Sequence, residues 1–431
     1  MNRNALQWLS SWKSKPERKP LIISGARQVG KTWVMREFGA KAFAQLAYIN
    51  FESSKQLQNL FIEDFDISRI LAALQIETGV KISQDTLIVF DEIQEARGGI
   101  TSLKYFYENA QEYHIIAAGS LLGVALHQNV SFPVGKVDFM DLYPLDFYEF
   151  LEALGDVELV TLLRDKDWPL IKTFKDRYIR RLREYYYVGG MPEAVKVFTR
   201  SRDLGEVRQI QKNILSAYEL DFSKHAPSEI VLGVRMLWNS LPAQLAKENK
   251  KFVYGLIKKG ARAKDYELAL SWLVDCGLVH KVSRVSKPGL PLKAYEDRGA
   301  FKLFLVDVGL LGAMGDLDGR IILDGNAIFQ EFKGAMAEQF VLQQLKSKLN
   351  TPLNYWSAER AVAELDFLIQ VKNNVIPVEV KAEENLQAKS LKSYVTKYSP
   401  YQAIRASMSD YREEEWLTNL PLYGILEVDE I

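Results

Sequence analysis

The chain has 431 residues, too many for one ordinary hydrophobic core, so two to four domains are expected. Hydrophobic residues make up 48% and charged residues 26%, which excludes a disordered chain. Lys plus Arg and Asp plus Glu balance at 55 each, so no global field draws the chain to nucleic acid, and any such contact needs a local patch. The single cysteine, Cys276, cannot close an internal disulfide, and its apolar helical surroundings predict a buried packing role. The longest apolar run, 115–126, contains Gly119, Ser120 and Gly123 and is too short to span a bilayer. No apolar signal core precedes Pro20, so a cytoplasmic protein without a membrane partner is expected.

In chain order, Leu21-Ile22-Ile23 predicts a short buried strand, and Trp33 to Phe38 predicts a helix. Between them lies Gly25-Ala26-Arg27-Gln28-Val29-Gly30-Lys31-Thr32, which fits the P-loop pattern without a mismatch. Its glycines let backbone N–H groups wrap a polyphosphate, and the helix N-terminus adds partial positive charge. In that chemistry Lys31 reaches the β- and γ-phosphates of ATP, and the Thr32 hydroxyl holds Mg²⁺. A chance Gly-rich turn is the competing reading, and the strand-loop-helix context argues against it.

A second strand is expected at Leu46–Glu52. Thr86 to Phe90 then reads as a strand buried on both faces, ending in Asp91 and Glu92. The C-terminal end of such a strand is where parallel sheets place ligands. Asp91 is expected to support Mg²⁺, and Glu92 to polarise a water for attack on the γ-phosphate; a solvated acidic pair is the alternative. His114 to Ser120 is the next strand. Ser120 is placed to sense the γ-phosphate or orient water, although a plain strand-ending serine fits as well.

These stretches, with Ala118-Gly119-Ser120-Leu121, Pro133-Val134-Gly135-Lys136-Val137, Tyr143-Pro144-Leu145 and Gly189-Gly190-Met191-Pro192, resemble the prokaryotic predicted ATPases of the AAA+ superfamily. The resemblance covers nearly the whole chain. It implies an α/β fold with a parallel core, ATP and Mg²⁺, followed by a C-terminal domain long without a known function. Many relatives carry an arginine after the glycine of Gly135-Lys136. Lysine is a point charge rather than a planar fork, so the arginine-finger equivalent is left unassigned.

From Asp146 to about Arg200 the pattern is helical and reads by analogy as a lid. Helices are expected at Phe252–Lys259 and at Asp265–Leu278, the second with Leu268 and Trp272 on its inner face. A strand pair follows at Val279–Val285 and Phe301–Val306. Helix, turn, helix and ribbon is the winged-helix order. Lys247, Lys250, Lys251, Lys258, Lys259, Arg262 and Lys264 crowd its start. A phosphate-binding face and a protein-binding winged helix with solvated lysines are both open.

Gly312 to Gly325 reads as flexible. Beyond it, Ala335 to Leu349 predicts a helix bearing Glu338. A hairpin is expected from Leu365–Ile369, with Asp366, and Val375–Val380, with Glu379 and then Lys381. Residues two apart share a strand face, so Glu379 and Lys381 point together, and Asp366 can reach that side. The order resembles the restriction-endonuclease-like fold and implies a metal-dependent phosphodiester site at Glu338, Asp366, Glu379 and Lys381. A retained scaffold or docking module is the alternative.

The expected architecture is therefore an AAA+ P-loop core with a parallel sheet (1–145), a helical lid (146–205), a winged-helix domain (206–320) and a restriction-endonuclease-like α/β domain (321–431). The expected activity is Mg²⁺-dependent ATP hydrolysis coupled to a DNA-binding, nuclease-like C-terminal region. The alternative is an ATP-dependent switch whose C-terminal fold binds a partner without cleaving. ATP and DNA are the expected partners, and a homo-oligomer is left open.

Overall fold

The computed structural model describes residues 2–119, 132–247, 251–324, 330–349, 351–358, 363–384 and 387–428. They fall into two compact units, Met1–Tyr143 with Asp275–Gly277, and Pro144–Val274 with Leu278–Ile431.

In the first unit, strands β1 (Leu21–Ser24), β2 (Gln45–Asn50), β3 (Thr86–Asp91), β4 (His114–Ala118) and β5 (Asp138–Asp141) form one sheet in the order β2-β3-β4-β1-β5. Every neighbouring pair is parallel. β3 is buried along its whole length, as an apolar run inside a parallel sheet requires. Helices α1 (Asn4–Lys13), α2 (Lys31–Ala42), α3 (Ile67–Thr78) and α4 (Gly99–Asn109) accompany it. Phe51, Phe61, Phe90 and Phe106 anchor a core in which the Phe51 and Phe90 rings meet edge to face at 5.6 Å. Because β4 pairs with both β1 and β3, its end at Ala118 lies between the strand that feeds the P-loop and the strand that ends in Asp91.

The second unit begins with helices Phe147–Ala153, Val157–Arg164, Trp168–Thr173, Lys175–Val188 and Pro192–Ser201. These are the helices expected as a lid. They pack on the C-terminal part of the chain. Tyr178 stacks on Tyr423 at 4.8 Å, Trp168 stacks on Tyr411 at 4.3 Å, and the Tyr148 hydroxyl donates to Glu427 at 2.9 Å.

The sheet of this unit has eight strands: β6 (Val279–Val285), β7 (Glu296–Leu305), β8 (Asn354–Ser357), β9 (Glu364–Val371), β10 (Asn374–Val380), β11 (Ile404–Ser407), β12 (Arg412–Glu413) and β13 (Thr418–Pro421). Their order is β12-β13-β11-β10-β9-β8-β6-β7. The β6–β7 hairpin, expected as a wing, is thus the edge of the same sheet as the C-terminal strands, through parallel pairing of β6 with β8.

Buried glutamines of helix Gln330–Lys348 tie the unit together. Gln339 pairs its amide with both backbone groups of Leu305, and Gln344 accepts from Phe147 N–H at 2.7 Å. Gln343 donates to Asp307, which also accepts from Gly190 N–H at 2.6 Å. A Cβ on Gly190 would lie 2.1 Å from the Leu145 carbonyl oxygen, so the Gly189-Gly190 and Tyr143-Pro144-Leu145 motifs meet where only glycine fits.

Three expectations need correction. Gly312 lies in helix Val308–Met314, and Gly319–Asp324 is helical, so of the stretch 312–325 the described residues 312–324 are largely helical. The helix expected at Phe252–Lys259 is reduced to a single 3₁₀ turn, Tyr254–Leu256. Its start is pinned in extended form, because Gln244 bonds both backbone groups of Val253, and Phe252 N–H donates to Phe301 O at 2.8 Å. Helix Glu267–Asp275 does form, but Leu268 is 71% exposed while Ala269, Leu270, Trp272 and Leu273 face inward. Cys276 is buried, as expected. No helix among the described residues is long and apolar enough to cross a membrane.

Candidate functional site

Between the end of β1 at Ser24 and the start of α2 at Lys31, the chain turns through left-handed backbone at Gly25 (φ 141°), Gln28 (φ 66°) and Gly30 (φ 97°). A Cβ on Gly25 would stand 2.3 Å from the Leu142 carbonyl oxygen, so this position is closed to any other residue. No side chain caps the N-terminus of α2, which leaves its first-turn N–H groups and dipole facing the loop. Ala26 and Val29 are buried, Arg27 is half-buried and Gln28 is exposed. Arg3, just before α1, braces the loop from behind by donating to Val29 O at 3.1 Å and Tyr143 O at 2.6 Å.

The Lys31 ammonium is buried and donates to Gly25 O at 2.7 Å and Ala26 O at 2.9 Å. Burial pulls its pKa down to about 8, against the opposing pull of Glu92 and Asp91. Thr32 Oγ1 donates to Asp91 Oδ2 at 2.8 Å, joining the loop to the end of β3. Tyr48 on β2 donates to the same oxygen at 2.6 Å, and the Arg36 guanidinium lies 4.0 Å over the Tyr48 ring. Burial and this bond to Asp91 raise the Tyr48 pKa.

Asp91 Oδ1 accepts from Glu92 N–H at 3.1 Å, so the carboxylate is held at both oxygens. Glu92 has a left-handed backbone (φ 50°, ψ 47°), and its Oε2 accepts from Gln94 Nε2 at 2.6 Å. The residue patterns read along the chain did not single out Tyr48 or Gln94. Ser120 lies outside the described residues. Lys136 pairs with Glu108 at 3.2 Å.

Hard oxygen donors at Thr32 and Asp91, a buried ammonium and an uncapped helix N-terminus form a donor set that fits a magnesium triphosphate. When bound, the ion neutralises developing charge on the phosphate oxygens.

With that geometry in view, residues 17–151 match the model of the AAA domain family. Residues 179–320 and 333–423 match two domains of unknown function, DUF8612 and DUF4143. No curated protein matches the chain. Among solved structures, the chain is similar to a Walker-type ATPase of Pyrococcus abyssi at 17% identity, over 73% of this chain and 95% of that one, with a TM-score of 0.45. It is also similar to the Orc1 protein of Aeropyrum pernix in complex with DNA, at 14% identity over 73% and 91% of the two chains, with a TM-score of 0.27. The front of the chain is an AAA-type P-loop domain. The protein is an ATPase.

In the second unit, the four residues expected to form a metal site fall into two pairings. Glu338 and Asp366 flank Lys302 of β7, whose Nζ lies 3.8 Å from Glu338 Oε2, 2.7 Å from Glu364 Oε1 and 3.8 Å from Asp366 Oδ1. The Tyr355 ring closes the cage, its centroid 4.9 Å from the ammonium. Asp366 Oδ2 also accepts from Val380 N–H at 2.7 Å. Glu379 pairs separately with Lys381 at 2.7 Å and accepts from Leu391 N–H at 3.3 Å. Burial pulls the Lys302 pKa down, but Glu338, Asp366 and Glu364 together carry it above the ordinary lysine value. Among the described residues, no group of three or more His, Cys, Asp or Glu is arranged to hold a metal ion. Lys302 and Glu364 were missed in the sequence. The one available cue was a lysine inside the apolar run Phe301 to Val306.

Proposed function

We propose that the chain is a Mg²⁺-dependent ATPase in which Lys31 and Thr32 hold nucleotide and metal, Asp91 supports the metal, and Glu92 activates the attacking water. The observation that carries this reading is the 2.8 Å bond from Thr32 to Asp91, which ties the loop to the acidic strand end in one site. The Glu92 carboxylate stands next along the chain, on a turn. Glu92→Gln should bind ATP normally yet turn it over about 10²- to 10⁴-fold more slowly, the range typical of losing a general base. Unchanged turnover would remove Glu92 from the mechanism.

For the second unit, one reading couples the nucleotide state to DNA binding through a winged helix and to cleavage at Glu338, Asp366, Glu379 and Lys381. The other reading is a switch whose C-terminal fold binds a partner. Lys302 favours the switch, because an internal ammonium already sits between Glu338 and Asp366, with Glu364 as a third partner. A supercoiled plasmid incubated with Mg²⁺ or Mn²⁺ separates the two. An intact plasmid, with ATP-dependent assembly, supports the switch, whereas nicking that disappears in Asp366→Ala restores the nuclease. The support for DNA is the exposed set Lys251, Lys258, Lys259, Arg262 and Lys264. Lys251→Glu with Lys258→Glu should then weaken duplex binding and flatten its salt dependence. Unmoved affinity assigns this face to another partner.

A further inference from the structure

Gln94 belongs to the 3₁₀ turn Ile93–Glu95 that follows Asp91 and Glu92. Its amide nitrogen donates to Glu92 Oε2 at 2.6 Å. That bond fixes which end of the amide faces the carboxylate, since an oxygen there would meet an acceptor. The opposite end, Oε1, is buried and takes no donor among the described residues. A buried carbonyl without a donor is costly unless water or a ligand serves it. Packing alone does not call for glutamine here, because methionine would fill the same volume without the stranded oxygen. The turn also holds the two side chains in fixed relation, since Glu92 N–H is bonded to Asp91 Oδ1 and the Glu92 backbone is left-handed.

We propose that Gln94 is a water-positioning residue for ATP hydrolysis; this rests on the reading of Glu92 as the base. The Gln94 carbonyl accepts one hydrogen of the attacking water, and the Glu92 carboxylate accepts the other. The water oxygen forms a bond to the γ-phosphorus while the bond from that phosphorus to the β–γ bridging oxygen breaks. ADP leaves with that electron pair, inorganic phosphate forms, and the water proton passes to Glu92 and then to solvent. Gln94 is unchanged throughout. It sets the direction of the water's lone pair, and its N–H keeps the Glu92 carboxylate aimed.

The test compares the full chain with Gln94→Met, Gln94→His and Glu92→Gln, measuring steady-state turnover, KM for ATP and the binding of a fluorescent ATP analogue. Gln94→Met should lower kcat by about 10- to 100-fold with KM unchanged, less than the loss of the base itself, because Gln94 orients the water without taking its proton. Histidine, which keeps a donor and an acceptor, should recover part of the rate. Unchanged turnover in Gln94→Met overturns the proposal. Faster turnover also overturns it and assigns Gln94 to restraining Glu92, while failure to bind the analogue assigns it to the fold. If Glu92→Gln turns over at full rate, the base itself is wrong. If Glu92→Gln stalls while Gln94→Met runs at the wild-type rate, only the role of Gln94 fails.

Discussion

Lys31 in the first unit and Lys302 in the second are both lysines withdrawn from solvent, 7% and 1% exposed, with carboxylates nearby. Their surroundings treat the charge in opposite ways. Lys31 bonds to two backbone carbonyls and stays under-compensated, so burial dominates and its pKa falls to about 8. Lys302 meets three carboxylates and an aromatic face, and its pKa rises although it is buried at least as deeply. Glu364 and Asp366 keep part of their surface in water, which eases the excess of negative charge around it. A buried cation left short of counter-charge is prepared for an anionic ligand, whereas one already surrounded by anions holds structure.

Exchanging each lysine for methionine puts that contrast at risk. Lys302→Met leaves carboxylates facing one another in a half-buried cage and should destabilise the second unit by about 3–5 kcal/mol, the usual cost of removing one partner from a buried pair. Urea unfolding followed by tryptophan fluorescence reads this as a lower midpoint; a midpoint equal to wild type would mean the cage contributes nothing. Lys31→Met should do the reverse. ATP affinity should drop by about 2–4 kcal/mol, or roughly 30- to 1,000-fold, while folding stability stays within about 1 kcal/mol. Calorimetric titration beside the same urea series checks both halves, and a large stability loss would erase the distinction.

A smaller effect sharpens the picture of the nucleotide site. Tyr48→Phe removes one of three bonds that hold Asp91, a loss of about 1 kcal/mol. The Mg²⁺ concentration for half-maximal turnover should rise roughly fivefold, with nucleotide binding in EDTA unchanged. No shift in the Mg²⁺ requirement would leave Tyr48 with a packing role only.

What could be read from the chain follows how local each feature is. The P-loop, its flanking strand and helix, and the apolar run into Asp91 and Glu92 are contiguous patterns, and β1, α2 and β3 stand where those patterns place them. Tyr48 reaches Asp91 only through the pairing of β2 with β3, which no spacing along the chain announces. Lys302 draws its partners from a helix and from β9, and Tyr355 from β8, so the cage exists only after the sheet has assembled. The glycines of 312–325 suggested flexibility, but over the described residues 312–324 two helices overrode that composition. At 252–259, helical periodicity lost to the amide of Gln244, which satisfies Val253 in extended form.

The parallel seam between β6 and β8 has a consequence for how this protein is inherited. β8 carries Tyr355 and Trp356, both buried, and without Val279–Val285 beside it the strand would present unpaired amides along a sticky margin. Whenever recombination moves the C-terminal segment to a new host chain, Val279–Leu305 has to travel with it, or the transplanted sheet will seek another copy of itself to complete its border.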